Sequence, residues 1–135
     1  LTYGGSEDVL LESSTIVGNI ATNYGGGVHL DGALRCTNSI IYFNTCTDNE
    51  DLVADTVAMD YSCIPSNVFS GAHSISNDPG FADAATDNYR LQTNSPCLNA
   101  GTNLAWMATA FDLDGNPRIA DVTVDMGAYE IPEDP

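Results

Sequence analysis

The sequence predicts an all-β fold, a solenoid of short stacked strands, on three observations. β-Branched residues, Gly, Asn, Asp and Ser dominate the 135-residue chain, and residue types that favour long helices are few. Short apolar segments that end in Asn recur in the first half, with Ile16, Ile40 and Ile64 spaced 24 residues apart. A repeat period in the low twenties with short strands is typical of a solenoid. Because one coil cannot bury its apolar face alone, stacked coils are expected to place Ile on Ile inside.

The repeated segments predict the strands in order. The segment at 15–19 resembles the one at 39–44, and 63–67 is a degraded third copy. We expect the Asn that ends each strand to adopt the left-handed conformation at a tight corner and to hydrogen-bond to the Asn of the next coil. The glycines at 25–27 are expected to supply corner conformations that a Cβ would prevent. A segment at 103–110 predicts a short helical turn. A β-sandwich is the alternative fold.

The second half is not repetitive but carries five spaced motifs. They are DPGF at 78–81, YRL at 89–91, SPCLNAG at 95–101, DLDGNPR at 112–118 and VDMGAYE at 124–130. This ordered set resembles the C-terminal portion of bacterial secreted right-handed parallel β-helix repeat proteins, of the type that precedes a variable cell-surface anchor. The resemblance implies a short right-handed parallel β-helix over 1–76, a capping segment over 77–131 that packs on the last coils, and a tail over 132–135. It also implies a secreted protein at the bacterial cell surface.

The four cysteines favour disulfides over a zinc site, because none has the CxxC spacing and neither histidine lies near a cysteine pair. Four cysteines allow three pairings. The resemblance places Cys63 and Cys97 in two family-like elements and so implies that these two are bridged. That pairing leaves Cys36 with Cys46.

The charge balance excludes several partners. The chain has three basic residues, all Arg, against nineteen acidic ones, a formal net charge of −16. Nucleic acids and anionic membrane surfaces both require a positive surface and are therefore not expected as partners. Acidic polysaccharides are disfavoured unless a divalent cation bridges the two. No apolar run is long enough to span a bilayer.

Two groups of polar residues lie in the last two motifs. One predicts a structural ion pair, and the other predicts either a calcium site or a capped turn. Arg118 is expected to pair with Asp125 or Glu130, because a guanidinium binds a carboxylate through a planar fork and acids are abundant. Asp112, Asp114 and Asn116 alternate around a Gly as calcium ligands do. In the alternative, these three side chains cap backbone N–H groups in a turn.

No catalytic residues are predicted, since the chain lacks Lys, an adjacent Asp pair and a Gly-x-Ser-x-Gly elbow. Glu50 and Asp51 are expected to be solvated in a polar loop. Calcium is the one cofactor considered. We therefore predict a non-catalytic structural or adhesive module. Its expected partners are other copies stacked end to end into a filament, missing N-terminal coils of a longer protein, or surface carbohydrate.

Two alternatives remain open. One is a fragment of a carbohydrate-active enzyme, a polysaccharide lyase or a glycosidase, whose catalytic coils lie upstream. The other is a calcium-dependent carbohydrate-binding module. Trp106 and Tyr129 are the aromatic residues that would form a sugar-stacking platform, although single aromatics more often pack as caps.

Overall fold

The computed structural model describes residues 2–3, 8–48, 51–65 and 71–132, and the side chains of all but the first two. Within these residues the chain forms eight strands, two short 3-10 helices and no α-helix. The strands are β1 (Thr2–Tyr3), β2 (Val9–Glu12), β3 (Thr15–Val17), β4 (Val28–Thr37), β5 (Ile40–Tyr42), β6 (Leu52–Asp60), β7 (Phe81–Asp83) and β8 (Asn88–Leu91). The 3-10 helices are Ala84–Thr86 and Ala105–Thr109, and the second confirms the helical turn predicted at 103–110.

The largest sheet is parallel and has β4 at its centre. β6 pairs along one edge of β4, and β1 and β2 pair along the other. Val28, Leu30, Leu34 and Cys36 of β4 are buried, which follows from the alternation of side chains between the two faces of a strand. The register with β6 shifts between Leu30 and Ala33, yet the buried side chains of β4 keep the same alternation on both sides of the shift. One face of this sheet therefore forms an apolar layer.

The register of the shorter strands corrects the predicted stacking of isoleucines. β3 pairs with β5 in parallel, with Ile16 opposite Ile41, while Ile40 lies opposite Thr15 on one side and Cys63 on the other. The predicted column of Ile16, Ile40 and Ile64 is wrong by one position. A shift of one residue moves a side chain to the other face of a strand. Ile40 and Ile41 accordingly belong to different apolar clusters.

The predicted right-handed parallel β-helix is wrong, although the all-β part of the prediction is right. The described strands divide into a four-stranded parallel sheet, the two-stranded parallel pair β3–β5 and the two-stranded antiparallel pair β7–β8. These small sheets show neither a solenoid nor a β-helix. The physical reason is that the repeat covers only the first half. Residues 77–132 contribute one short hairpin, the two 3-10 helices and otherwise irregular chain, held by hydrogen bonds between side chains and backbone.

The turns between strands agree in part with those predicted from the sequence. The predicted contact between asparagines is confirmed, because Asn19 Nδ2 donates to Asn44 Oδ1 at 2.9 Å. The left-handed residues, however, are Gly18 and Phe43, each one position before the Asn. Gly25 has φ +60°, and a Cβ at position 26 would lie 2.7 Å from the backbone of residue 45, which confirms the predicted need for glycine here. Asn67, the end of the third copy, lies outside the described residues.

Two apolar clusters form the core. The first lies under the parallel sheet, and the second lies between the first half and the closing segment. The second cluster consists of Ile40, Cys63, Phe81, Leu91, Cys97 and Met126. The burial of Ile40 and Cys63 therefore depends on residues from the second half of the chain.

The segment at 77–131 contacts residues earlier in the chain than the predicted packing on the last coils would allow. The Gly127 N–H donates to the Asn38 carbonyl at 2.7 Å, and the Ala128 N–H donates to Thr15 Oγ1 at 3.0 Å. The Asn38 side chain forms two 2.8 Å hydrogen bonds with the backbone of Thr102. The segment thus packs against β3 as well as against later strands. The predicted tail lies outside the described residues from 133 onward.

Replacing Gly127 by Ala is expected to lower the free energy of unfolding by about 2–4 kcal/mol, through backbone strain and overpacking. Gly127 has φ +101°, and an added Cβ would lie 2.8 Å from Thr15 Oγ1 and 2.9 Å from Ile40 Cδ1. Gly115→Ala is the matched control, because its φ is +86° and no heavy atom lies within 4 Å of the added carbon. The free energy of unfolding of this control should fall by only about 1–2 kcal/mol. Equal losses in urea unfolding would contradict the close packing at Gly127.

Candidate functional site

An open groove lies between the turn that follows β2 and the irregular segment at 105–118. We call it the Trp106 groove; its volume is about 430 Å³. One wall comes from residues 12–15, and the other comes from Trp106, Phe111 and Leu113. The two walls are far apart in sequence and are brought together by the packing of the second half on β3.

Trp106 stands at the rim of the groove with its ring held in place. It lies in the 3-10 helix Ala105–Thr109, which is anchored by the fully buried Met107. The Trp106 indole N–H donates to Glu12 Oε2 at 3.1 Å, across 94 residues of sequence. Trp106 remains 45% exposed, and the neighbouring Phe111 and Leu113 are 66% and 73% exposed. The rim is therefore an apolar surface open to solvent on a strongly acidic chain.

Arg118 forms the floor of the groove and is 3% exposed. Its Nη2 donates to the carbonyls of Ser13 at 3.2 Å and Gly127 at 3.0 Å. Its Nη1 lies 3.2 Å from Glu130 Oε1, one of the two partners named from the sequence. This ion pair lacks hydrogen-bond geometry, so Nη1 and Oε1 remain without a hydrogen bond, as does the buried Ser13 Oγ, among the described residues.

Asp125, the other carboxylate named from the sequence, lies close by and holds the backbone of the closing segment. Its Oδ1 accepts from the Asn99 N–H at 2.7 Å, and its Oδ2 accepts from the Ile131 N–H at 2.9 Å. Its own N–H donates to Glu130 Oε2 at 2.9 Å. Burial raises the pKa of Asp125, while these N–H groups and Arg118 oppose the rise.

Glu130 is a buried carboxyl group behind the groove floor. Burial raises its pKa from the ordinary value of 4.5 to about 8, because the charged form loses its hydration. The Asp125 N–H and the Arg118 guanidinium oppose this rise, and the charges of Asp125 and Asp112 add to it. Glu130 therefore carries a proton over much of the neutral range.

The raised pKa of Glu130 predicts that stability falls as pH rises from about 5 to 8. A group whose pKa is higher in the folded state than in the unfolded state contributes stability that is full below about 4.5 and is lost as pH rises through about 8. Each unit of pKa difference corresponds to about 1.4 kcal/mol. Glu130→Gln cannot titrate and is expected to flatten this part of the profile. Urea unfolding of both proteins at pH 5, 6.5 and 8 measures how their stability depends on pH.

Glu12→Gln is the control for this prediction, because it makes the same chemical change at the half-buried rim of the groove. Repulsion among the other acids is common to all three proteins and cancels in the comparison. If the Glu130→Gln variant keeps the pH dependence of the parent, Glu130 is not the group responsible.

The residues proposed as calcium ligands form a capped turn. Asp112 Oδ1 accepts from the N–H groups of Asp114 at 2.9 Å and Asn116 at 2.7 Å, and its Oδ2 accepts from the Glu130 N–H at 2.8 Å. Burial opposes ionisation here, but these N–H groups outweigh it and lower the pKa of Asp112. No group of three or more His, Cys, Asp or Glu side chains is placed to hold a metal ion in the described part of the chain. The geometry matches the turn alternative.

Arg90 packs against Tyr129, one of the two aromatic residues considered for sugar stacking. Its guanidinium donates from Nε and Nη2 to the Asp114 carboxylate at 2.6 and 2.5 Å, and its central carbon lies 4.9 Å from the ring centroid of Tyr129. Arg90 therefore covers one face of Tyr129. Of these two aromatic residues, Trp106 lines the groove and Tyr129 does not.

The structure brings together one of the two predicted cysteine pairs and contains no disulfide. The thiols of Cys63 and Cys97 are fully buried and in hydrogen-bond contact, and Cys63 Sγ also donates to the Asn77 carbonyl at 3.2 Å. The contact with Cys97, together with burial, raises the pKa of Cys63. Cys36 Sγ lies 3.6 Å from Ser62 Oγ. The disulfides Cys63–Cys97 and Cys36–Cys46 stay predictions.

The sequence reasoning missed the role of Asp51. It was expected to be solvated, yet it is only 6% exposed, and its Oδ1 accepts from the Asn44 backbone N–H and from Asn44 Nδ2, both at 2.8 Å. Its carbonyl accepts from the N–H groups of Gly27 and Val28. Glu50 lies outside the described residues. The side chains of Glu12, Phe111 and Leu113 in the groove were also missed, because no local motif marks them.

Comparison with protein-family models, curated proteins and solved structures gives no match to this chain. Among the described residues, no helix has the length and apolar character needed to cross a membrane. The resemblance to secreted repeat proteins therefore stays an expectation, and any functional argument rests on the geometry of the Trp106 groove.

Proposed function

We propose that this chain is a non-catalytic adhesive module of a secreted bacterial surface protein, which holds its partner in the Trp106 groove. The observation that carries the proposal is the exposed Trp106 ring, fixed by its hydrogen bond to Glu12 at the rim of an open groove. Trp106 lines the groove together with the exposed Phe111 and Leu113, and an exposed apolar patch of this kind is typical of a binding site. A ring that is already fixed loses little conformational freedom when a partner binds.

The ionisable groups in the groove already form hydrogen bonds within the protein, which supports adhesion over catalysis. A general acid or base must reach its substrate with a proton or a lone pair to exchange. Glu12 accepts from Trp106, Asp112 accepts from backbone N–H groups, and Arg118 donates to two carbonyls. Each of these groups is thus already engaged in holding the structure.

An adhesion assay with matched variants tests this proposal. Labelled chain is incubated with immobilised polysaccharides, immobilised extracellular proteins and a blank surface, and retention is measured after washing. Trp106→Ala is expected to lose at least tenfold in retention. Tyr24→Ala is the control, because Tyr24 is a similarly exposed aromatic that does not line the groove. Equal retention of the two variants, or release of reducing sugar from the polysaccharides, would contradict the proposal.

Self-association is a second candidate, favoured by the edges of the parallel sheet. Among the described strands, β2 and β6 each pair with β4 alone, and Leu10 on β2 is exposed. An open strand edge presents unpaired N–H and carbonyl groups that a further strand can bind. A second copy would add β6 against β2, and such head-to-tail contacts form filaments.

Light scattering over a range of concentrations tests self-association. Growth of the assembly is expected in the parent chain and is expected to be blocked in Leu10→Lys. A monomer at every concentration would contradict this candidate and leave the adhesive function standing.

A further inference from the structure

We propose that the ligand of the Trp106 groove is a neutral glycan, bound through a pyranose ring and without calcium. This inference rests on the proposed adhesive function and specifies its partner. Three features of the groove support it: an exposed aromatic face, a serine hydroxyl without a hydrogen bond, and a negative electrostatic environment.

The aromatic face matches the apolar side of a pyranose ring. Sugar rings expose patches of C–H groups that pack against an aromatic ring, and Trp offers the largest such face. The hydrogen bond between the Trp106 N–H and Glu12 satisfies the polar edge of the ring and leaves the ring face for contact. Phe111 and Leu113 extend the apolar rim on the same wall.

The groove is lined by a serine whose hydroxyl lacks a hydrogen-bond partner. Ser13 Oγ is buried and forms no hydrogen bond among the described residues, whereas Arg118 Nη1 is ion-paired with Glu130. A buried polar group without a partner costs free energy, so a ligand that supplies one gains affinity. Because Ser13 Oγ is closed to solvent, the Ser13 side chain has to rotate toward the groove before a sugar hydroxyl, which both donates and accepts, can pair with it.

The charges around the groove exclude acidic sugars. Glu12 and Asp112 line it, the one cation among the described residues of its lining, Arg118, is buried, and the whole chain carries a formal charge of −16. A uronate or sulfate ligand would be repelled at long range and near the site. Calcium would not bridge the two, because the Asp112 oxygens accept N–H groups and Asp114 binds Arg90. Neutral hydroxyls, in contrast, can donate to the carboxylates.

The size of the groove suits a short stretch of glycan. Its volume of about 430 Å³ lies within the range of about 300–1,000 Å³ that holds small ligands. Because the groove is open, a chain end or an internal unit can enter it.

The single tryptophan of the chain makes the site directly observable. Trp106 fluorescence is recorded while neutral oligosaccharides of gluco, manno, galacto and xylo configuration are added, with oligogalacturonate and sulfated oligosaccharides as the acidic series. Each titration is repeated with EDTA and with calcium, and affinities are measured by calorimetry. At least one neutral series is expected to bind tenfold or more tightly than the acidic ones, with the same affinity in EDTA.

Variants separate binding from folding. Trp106→Ala and Ser13→Ala are expected to weaken neutral-glycan binding by at least tenfold and about threefold, respectively, with Tyr24→Ala unchanged. Trp106→Phe keeps an aromatic ring but loses the N–H that donates to Glu12. Its affinity for neutral glycans should therefore lie between that of the parent and that of Trp106→Ala. Circular dichroism melting of each variant shows whether it is folded.

The outcomes distinguish this inference from the function on which it rests. Retention that depends on Trp106 in the adhesion assay, without binding of any neutral oligosaccharide, would overturn the glycan ligand and leave the adhesive function. Binding of acidic sugars that requires calcium would also overturn it. Absence of any retention that depends on Trp106 would remove the adhesive function itself.

Discussion

At pH 9, where Glu130 is ionised, replacing Arg118 by Met is expected to lower the free energy of unfolding by about 3–5 kcal/mol, because removing one member of a buried ion pair leaves its partner uncompensated. Arg118 and Glu130 are both almost completely buried. The change also removes donors from the carbonyls of Ser13 and Gly127, which link the closing segment to the turn after β2. Urea unfolding measures the loss.

Arg90→Met is the matched control for Arg118. The substitution is identical, but the Arg90–Asp114 pair is exposed to solvent, and such pairs contribute little to stability. The double variant Arg118→Met/Glu130→Gln should lose less than the sum of its single changes, because no buried carboxylate is then left alone. Equal losses for Arg118→Met and Arg90→Met would show that Arg118 does not hold the closing segment.

The second large effect concerns Cys63 and Cys97. Oxidation of this pair is expected to raise the free energy of unfolding by about 3–4 kcal/mol. The bridge would close the loop between residues 63 and 97 and so restrict the unfolded chain. The two thiols are already in contact and fully buried. Unfolding is measured after treatment with oxidised glutathione, with and without a reductant, and the bridges are mapped by mass spectrometry without reduction.

Paired variants assign this effect to its cysteines. The double variant Cys36→Ser/Cys46→Ser should keep most of the reductant sensitivity, whereas Cys63→Ser/Cys97→Ser should lose it. The comparison is made within each variant, so the packing cost of serine in the core cancels. A bridge between Cys36 and Cys63 in the mass map would refute the pairing.

The largest disagreement between sequence and structure is the register of the strands. The equal spacing of Ile16, Ile40 and Ile64 predicts one column, but Ile16 lies opposite Ile41. Apolar residues occur at both 40 and 41, and each is buried in its own cluster. Local pattern does not distinguish two registers when both faces of a strand are covered, because either register buries an isoleucine.

The sequence by itself determined the strand-rich composition, the corner glycines, the contact between Asn19 and Asn44 and the association of Arg118 with an acid. These follow from backbone sterics, from the repeated position of Asn at the strand ends and from the excess of acids over the three arginines. Only the tertiary structure decided the division into three sheets, the pairing of Cys63 with Cys97 by proximity, and the Trp106 groove. The groove joins Glu12 to Trp106 across 94 residues. Contacts of that span arise from how the second half packs on β3, and the energy of that packing is distributed over the whole core rather than carried by any local motif.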